Sequence, residues 1–297
     1  MTLLTILISL ALERFLPPLE KLRSLEWFEH YGLWIRGRLR AHPRWQGIPA
    51  LLLMVLLPVI AVGIVQTLFN DILDILGFAF SIAVLTYSLG PNNPLYIAHQ
   101  YQYALEHDDE ETAREKLTQL LQTEPPENEA DQASALVETL LVQSHERLLG
   151  ILFWLIVLGP MGAILYRLVV DQAMRERRNP DAHHPEFSLA ATRLHDIMAW
   201  IPSHINAFCY AAMGSFAHAL HAWEESKAEK SGEGNGQVIT TPDSHGLLLR
   251  IGLSALQFDN APPQDTHAVR ETFALCLRSL VISLTLLALL TLAGWIP

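Results

Sequence analysis

The stretch Leu148–Val170 reads LLGILFWLIVLGPMGAILYRLVV, and its interpretation decides how the rest of the chain is threaded. It holds enough consecutive apolar residues to cross about 30 Å of hydrocarbon as a helix. At its middle stand Gly159 and Pro160. Proline removes a backbone donor and pushes the residue before it out of helical geometry. Two threadings follow. A kinked single span is the simpler one and is the expectation, but it places the basic segments 17–47 and 171–196 on opposite faces of a membrane. A re-entrant hairpin of two half-helices, shielded by protein, is the alternative, and it puts both basic segments on one face, as the excess of Lys and Arg in cytoplasmic loops requires.

Outward from this stretch, Ile48–Phe69 and Leu275–Ile296 meet the same length criterion. Ile72–Tyr87 is shorter and carries Asp74; following Asn70-Asp71 directly, it reads as the return arm of a helical hairpin. The first residues, MTLLTILISLALERFL, lack the basic start and small-residue cleavage site of a signal peptide and are interrupted by Glu13-Arg14, so they read as an uncleaved amphipathic or short membrane helix. Ile197–Met213 is apolar but contains Pro202-Ser203-His204, which predicts a kinked span, a re-entrant arm or an interfacial helix. The fold class expected is therefore all-α: a polytopic integral membrane protein with amphipathic or interfacial helices and polar helical insertions. Its expected organisation is N-terminal interfacial helices over 1–47, a transmembrane hairpin over 48–87 and a polar helical insertion over 88–147. A central membrane segment over 148–213, a polar loop region over 214–274 and a C-terminal transmembrane helix over 275–297 complete it.

The composition agrees. Of 297 residues, 51% are hydrophobic and 17% charged, against about 25% charged in soluble proteins. A net charge of −11 gives no positive field to gather phosphates, so nucleic acid is excluded as a partner and lipid is expected. Two cysteines, Cys209 and Cys276, sit in apolar stretches and support neither a disulfide framework nor a metal site. Between the apolar segments, Pro17–Gly47 carries six Lys or Arg with Trp27, Tyr31, Trp34 and Trp45, the pattern of a helix at a headgroup surface. Ala98–Thr123 has Ala104, Leu105, Ala113, Leu117, Leu120 and Leu121 at helical spacing and predicts one amphipathic helix, stopped by Glu124-Pro125-Pro126. Asp131–Gln143 predicts a second helix running into Leu148. Glu224–Asp243, with SGEGNGQ at its centre, predicts a loop.

No phosphate loop, dinucleotide fingerprint, nucleophile elbow or HExxH appears. His218 and His221 with Glu224 or Glu225 share a helix face, and His183-His184 with His195 form a looser group; both read as ordinary histidines, and neither a metal nor a resident cofactor is expected. Charges at membrane depth carry more weight, because their insertion is costly without a partner. Asp74 and Arg167 stand out and could pair with each other; Arg278 lies near enough to a span end to snorkel. A denser polar cluster brackets the central stretch: Ser144, His145, Glu146 and Arg147 before it, Tyr166, Arg167 and Asp171 at its end, then Thr192, Arg193, His195 and Asp196. Arg193 and Asp196 stand three apart, a spacing that equally suits an ordinary helix ion pair.

The segments ERLLGILFWLIVLGPMGAILYR (146–167), AATRLHDIMAWIP (190–202) and LALERF (10–15) resemble the AmpE family of inner-membrane regulatory signalling modulators, distant relatives of the CobD/CbiB cobinamide synthases. The likeness runs through the whole chain. Where the synthases resemble SLxENTxDG, this chain has VQSHERLLG (142–150). Where they carry YRNERYxxFGxxSAR and PSPNAGWPE, it has RERRNPDAHHPEFSLAATR (175–193) and SGEGNGQVITTPDSHGLLLRIGLSAL (231–256). The AmpE resemblance implies a non-enzymatic, multi-pass protein of a Gram-negative inner membrane, linked to β-lactamase induction and cell-wall recycling beside a cytoplasmic amidase partner or as a homo-oligomer. It also implies a pocket for a wall-derived ligand lined by Glu146, Arg147, Tyr166, Arg167, Arg193 and Asp196. The alternative is a membrane-bound CobD/CbiB-like synthase, amide-forming, with an altered active site.

Overall fold

A computed structural model describes residues 2–15, 23–39, 47–91, 93–178, 185–232, 243–258 and 266–294. Trp45, His183-His184 and the centre of the SGEGNGQ loop lie outside the described residues. Thirteen α-helices and one π-turn make up the fold, with no strand among the described residues. Among the described residues, three helical runs are long and apolar enough to cross a membrane: Ile48–Ile72, Glu129–Leu158 and His267–Leu292. The chain forms two compact units, the first built from residues 1–91, 150–199 and 287–297, the second from 92–149 and 200–286.

The first unit begins with α1 (Thr2–Phe15) and α2 (Glu26–Leu39), followed by α3 (Ile48–Ile72) and α4 (Asp74–Ser88). The chain reverses at the extended residue Leu73, later than the expected Asn70-Asp71, and α3 runs on through both of these residues. Phe69 meets Phe80 edge to face at 5.3 Å, and the Gln66 amide donates to the Gly77 carbonyl at 3.2 Å, locking the two arms. Asp74 opens α4 and is exposed; Arg167 lies against Gly90, beyond the other end of that helix. About 24 Å of helix separates the two positions at 1.5 Å per residue, so the suggested Asp74–Arg167 pair does not form.

The central stretch is a hairpin, and the expectation of a kinked full span is corrected. Helix α8 (Gly150–Leu158) ends at Gly159, and α9 (Pro160–Arg178) folds back on it. Gly159 has φ +66°, a left-handed conformation that glycine adopts without steric cost. Pro160 occupies the first position of α9, where its missing donor is not needed. A Cβ on Gly162 would stand 2.1 Å from the Trp154 carbonyl oxygen, and one on Gly150 2.3 Å from the Tyr166 ring. Residues pair across the turn with descending numbers on one arm and ascending numbers on the other, which is antiparallel packing with no room for larger side chains. At the open end, Arg175 donates to Asp171 at 2.7 Å and also to Glu29 of α2. Arg36 of α2 faces the buried Glu176 at 3.8 Å. Burial works to lower the Arg175 pKa, but Asp171 and Glu29 outweigh it and raise it. The two basic segments therefore meet at one end of this unit, as the hairpin requires.

Helix α10 (Pro185–Met213) runs without a break through Pro202, where the sequence suggested an interruption. Proline at 202 cannot donate to the carbonyl four residues earlier, that of Met198. The indole of Trp154 donates to that oxygen at 3.1 Å instead. The vacant acceptor is thus satisfied from the hairpin, so the two most distinctive sequence segments are joined by one hydrogen bond.

The second unit holds α5 (Pro94–Glu106), α6 (Glu110–Leu121), α7 (Glu129–Ser144), α11 (Phe216–Gly232), α12 (Ser244–Ala255) and most of α13 (Thr266–Leu292). The single helix expected over 98–123 is two, because Asp109 caps α6 by accepting from the Thr112 amide at 3.1 Å, and Asp108 takes a left-handed φ of 54°. An aspartate cap satisfies a helix-start donor that would otherwise lack a partner. The stripe Ala113, Leu117 and Leu120 is buried as the spacing implied, and α7 runs on toward Leu148 as expected.

Candidate functional site

Between α7 and α8 the helix widens into a π-turn at His145–Leu149, HERLL. A π-turn displaces one backbone bond of the i to i−4 ladder, and such bulges concentrate at functional sites. Here the His145 amide bonds to the Val142 carbonyl, and the Leu141 carbonyl accepts from the Tyr210 hydroxyl at 2.9 Å. Tyr210 is fully buried, so this oxygen keeps a partner without water. The turn brings His145, Glu146, Arg147 and Leu148 inside the second unit, with Glu146 only 3% exposed.

A buried carboxylate is costly unless it is hydrogen-bonded. Glu146 Oε1 lies 2.6 Å from Nε2 of His245, a residue 99 positions away in the first turn of α12. That helix start is fixed by Asp243, whose side chain accepts from the Gly246 amide at 2.9 Å. A Cβ at position 246 would stand 2.1 Å from the Asp243 carboxylate, so the D-S-H-G sequence aims the imidazole by combining a cap with a residue that leaves the cap room. A carboxylate and an imidazole in this contact can accept and return a proton.

The first unit places its polar residues separately. Tyr166 is buried against Gly150. Arg167 stands by Gly90, whose carbonyl accepts from the buried Arg23 at 3.2 Å. Asp196 accepts from Arg177 at 3.0 Å and lies 3.2 Å from Nδ1 of the buried His195. Arg177, not Arg193, is thus the ion-pair partner of Asp196, because the basic end of α9 reaches α10; Arg193 is exposed. Of the six residues expected to line one pocket, Glu146 and Arg147 share the π-turn of the second unit, and Tyr166, Arg167, Arg193 and Asp196 lie in the first unit. His218 contacts Ser215 at 2.7 Å and His221 contacts Glu225 at 3.3 Å, separate partners as ordinary surface histidines have. Sequence reasoning missed His245, Tyr210 and the Trp154–Met198 bond. The capping residue Asp243 before Ser-His-Gly was the legible signal for the first of these; nothing local indicates the other two.

A family profile described as CobD/Cbib protein matches residues 6–241. The chain belongs to the CobD/CbiB family. A relative from Chromobacterium violaceum, a cobalamin biosynthesis protein CobD, is 30% identical over 153 residues, 51% of this chain and 48% of its own length. A second protein of that name, from Stutzerimonas stutzeri, is 37% identical over 93 residues, 31% of this chain and 30% of its own. The chain thus matches less than half the length of these curated relatives. No solved structure matches it. The expectation of a non-enzymatic regulator linked to β-lactamase induction is corrected by these matches, since both relatives are named for cobalamin biosynthesis. The wall-derived ligand and the amidase partner rested on that expectation and lose their support with it.

Proposed function

We propose that this chain is a membrane-bound synthase of cobalamin biosynthesis that forms an amide bond on a corrinoid, with Glu146 and His245 handling the proton. The observation that carries the reading is the buried carboxylate–imidazole contact of 2.6 Å on a π-turn. As the carbon–nitrogen bond of an amide forms, the attacking amine must release a proton and the activated carboxyl must release its leaving group. A buried carboxylate in contact with an imidazole accepts that proton where water is excluded. Arg147, 7% exposed on the same turn, offers a guanidinium group suited to an anionic substrate or leaving group. On this reading the departure of VQSHERLLG from the synthase pattern is an exchange of site residues rather than their loss.

We further propose a multi-pass setting in a bacterial inner membrane, with the meeting point of α2 and the end of α9 on the cytoplasmic side. The last turns of α2 and α9 carry Arg36 and Arg38, and Arg175, Arg177 and Arg178, an excess of basic residues in keeping with the positive-inside rule. The test is complementation of a bacterium lacking its own CobD under conditions in which growth needs newly made cobalamin. The wild-type chain restores growth; Glu146→Gln and His245→Gln, present in the membrane at equal amounts, reduce it severely. Failure of the wild-type chain, or full growth with Glu146→Gln, contradicts the proposal.

A further inference from the structure

In the first unit, α2, α3, α4 and α9 surround a cleft of about 620 Å³ with nearly all-apolar walls, including Trp27, Tyr31, Pro58, Ala61, Ala83 and Ile164. Pro58 stands inside α3, and with the short side chains of Ala61 and Ala83 it hollows the wall. The rim is polar: Tyr87 accepts from the Trp27 indole and donates to the Ser24 carbonyl at 3.2 Å. The Tyr31 hydroxyl is buried and has no hydrogen-bond partner, an unusual state for a phenol inside a protein.

What leads away from this cleft identifies its occupant. Along α2, Trp27, Tyr31, Trp34 and Arg38 recur at intervals of four, three and four residues, one helix face. Trp27 and Tyr31 are 6.3 Å apart, Tyr31 and Trp34 stack at 6.5 Å, and the Arg38 guanidinium lies 5.4 Å over the Trp34 ring. Trp27 and Trp34 are 44% and 59% exposed. An aromatic stripe thus runs from an apolar cleft to an exposed cation. Tryptophan and tyrosine favour the headgroup level of a bilayer, and arginine there attracts anionic lipid.

We infer that this is a binding site for one anionic phospholipid, with an acyl chain in the cleft and its phosphate at Arg38. The cleft accounts for the tail, the exposed tryptophans for the interfacial level and the guanidinium for the charge. A neutral headgroup uses only the first two.

Quenching by lipids brominated on the acyl chain tests this in nanodiscs. The Trp27 signal is taken as the difference in emission between wild type and Trp27→Phe. Brominated phosphatidylglycerol is expected to quench it at about five-fold lower mole fraction than brominated phosphatidylcholine, the effect of one cation near the surface. Arg38→Gln removes that preference while quenching by both lipids persists. Ala61→Leu and Ala83→Leu, which fill the cleft, each suppress quenching by both. Equal quenching by the two headgroups overturns the inference, as does quenching that ignores both filling variants. Absence of quenching by either lipid also overturns it, because the cleft is then covered by protein, whether this chain or a second copy.

Discussion

Trp154→Phe probes the bond that lets α10 pass through Pro202. The Met198 carbonyl lacks the donor that residue 202 would normally give it, and Met198 is 7% exposed, so water offers little replacement. Phenylalanine keeps most of the ring packing but removes the indole donor at 3.1 Å. An unsatisfied buried acceptor costs about 1–3 kcal/mol, and hydrogen bonds between membrane helices average about 0.6 kcal/mol with a maximum near 1.7. A loss of about 1 kcal/mol is expected. The control is Pro202→Ala, which restores a backbone amide to the same carbonyl. In that background Trp154→Phe costs only the change in ring packing, so the cycle shows a coupling of about 1 kcal/mol. The assay is reversible unfolding by SDS in mixed micelles followed by far-ultraviolet circular dichroism, on all four proteins. Equal costs of Trp154→Phe in the two backgrounds refute the reasoning.

Other consequences can be checked separately. Gly162→Ala meets a backbone carbonyl at 2.1 Å, whereas Gly63→Ala meets the end of the Met161 thioether at 2.5 Å; the first is expected to lose about 1–3 kcal/mol in the same unfolding assay and the second clearly less, because a thioether swings aside. Single cysteines at Arg38 and Arg178, in a Cys209→Ser, Cys276→Ser background, are expected to label from one side of sealed vesicles; labelling from opposite sides contradicts the hairpin. Hydrogen bonding to Thr112 lowers the Asp109 pKa below its ordinary 3.8, so the cap's contribution is fully present above about pH 4 and is lost as pH falls through the lowered value. Hydrogen exchange in the first turn of α6 is expected to quicken there, and Asp109→Ala is expected to remove that pH dependence.

Much of the fold was legible because apolar length and turn residues are local signals. The runs expected at 48–69 and 275–296 fall within or overlap the helices at 48–72 and 267–292, and Gly-Pro at 159–160 left only two threadings. What selected the hairpin was not local: it took the contacts of Gly150 and Gly162 across the turn and the meeting of Arg175 and Arg36 with acids on the partner helix. Pro202 misled for a related reason, since a proline ends a helix only when the freed carbonyl finds no other donor, and Trp154 stands 44 positions away from Met198. At the candidate site, Glu146 and Arg147 were visible as charges beside an apolar run. The residue that makes Glu146 chemically interesting, His245, was hidden by a separation of 99 positions. Asp196 was singled out for its spacing from Arg193, yet the closer partner came from another helix, because spacing along one helix does not report cations presented by its neighbour.

We propose that the buried Glu146–His245 pair serves amide formation on a corrinoid. Mass spectrometry of the corrinoid pool in a CobD-deficient host tests it directly, with the wild-type chain compared against Glu146→Gln at equal membrane abundance. An amide-extended corrinoid is expected with the wild type, and accumulation of its acid precursor with the variant. An unchanged precursor pool in the presence of the wild-type chain, or equal product from both, contradicts it.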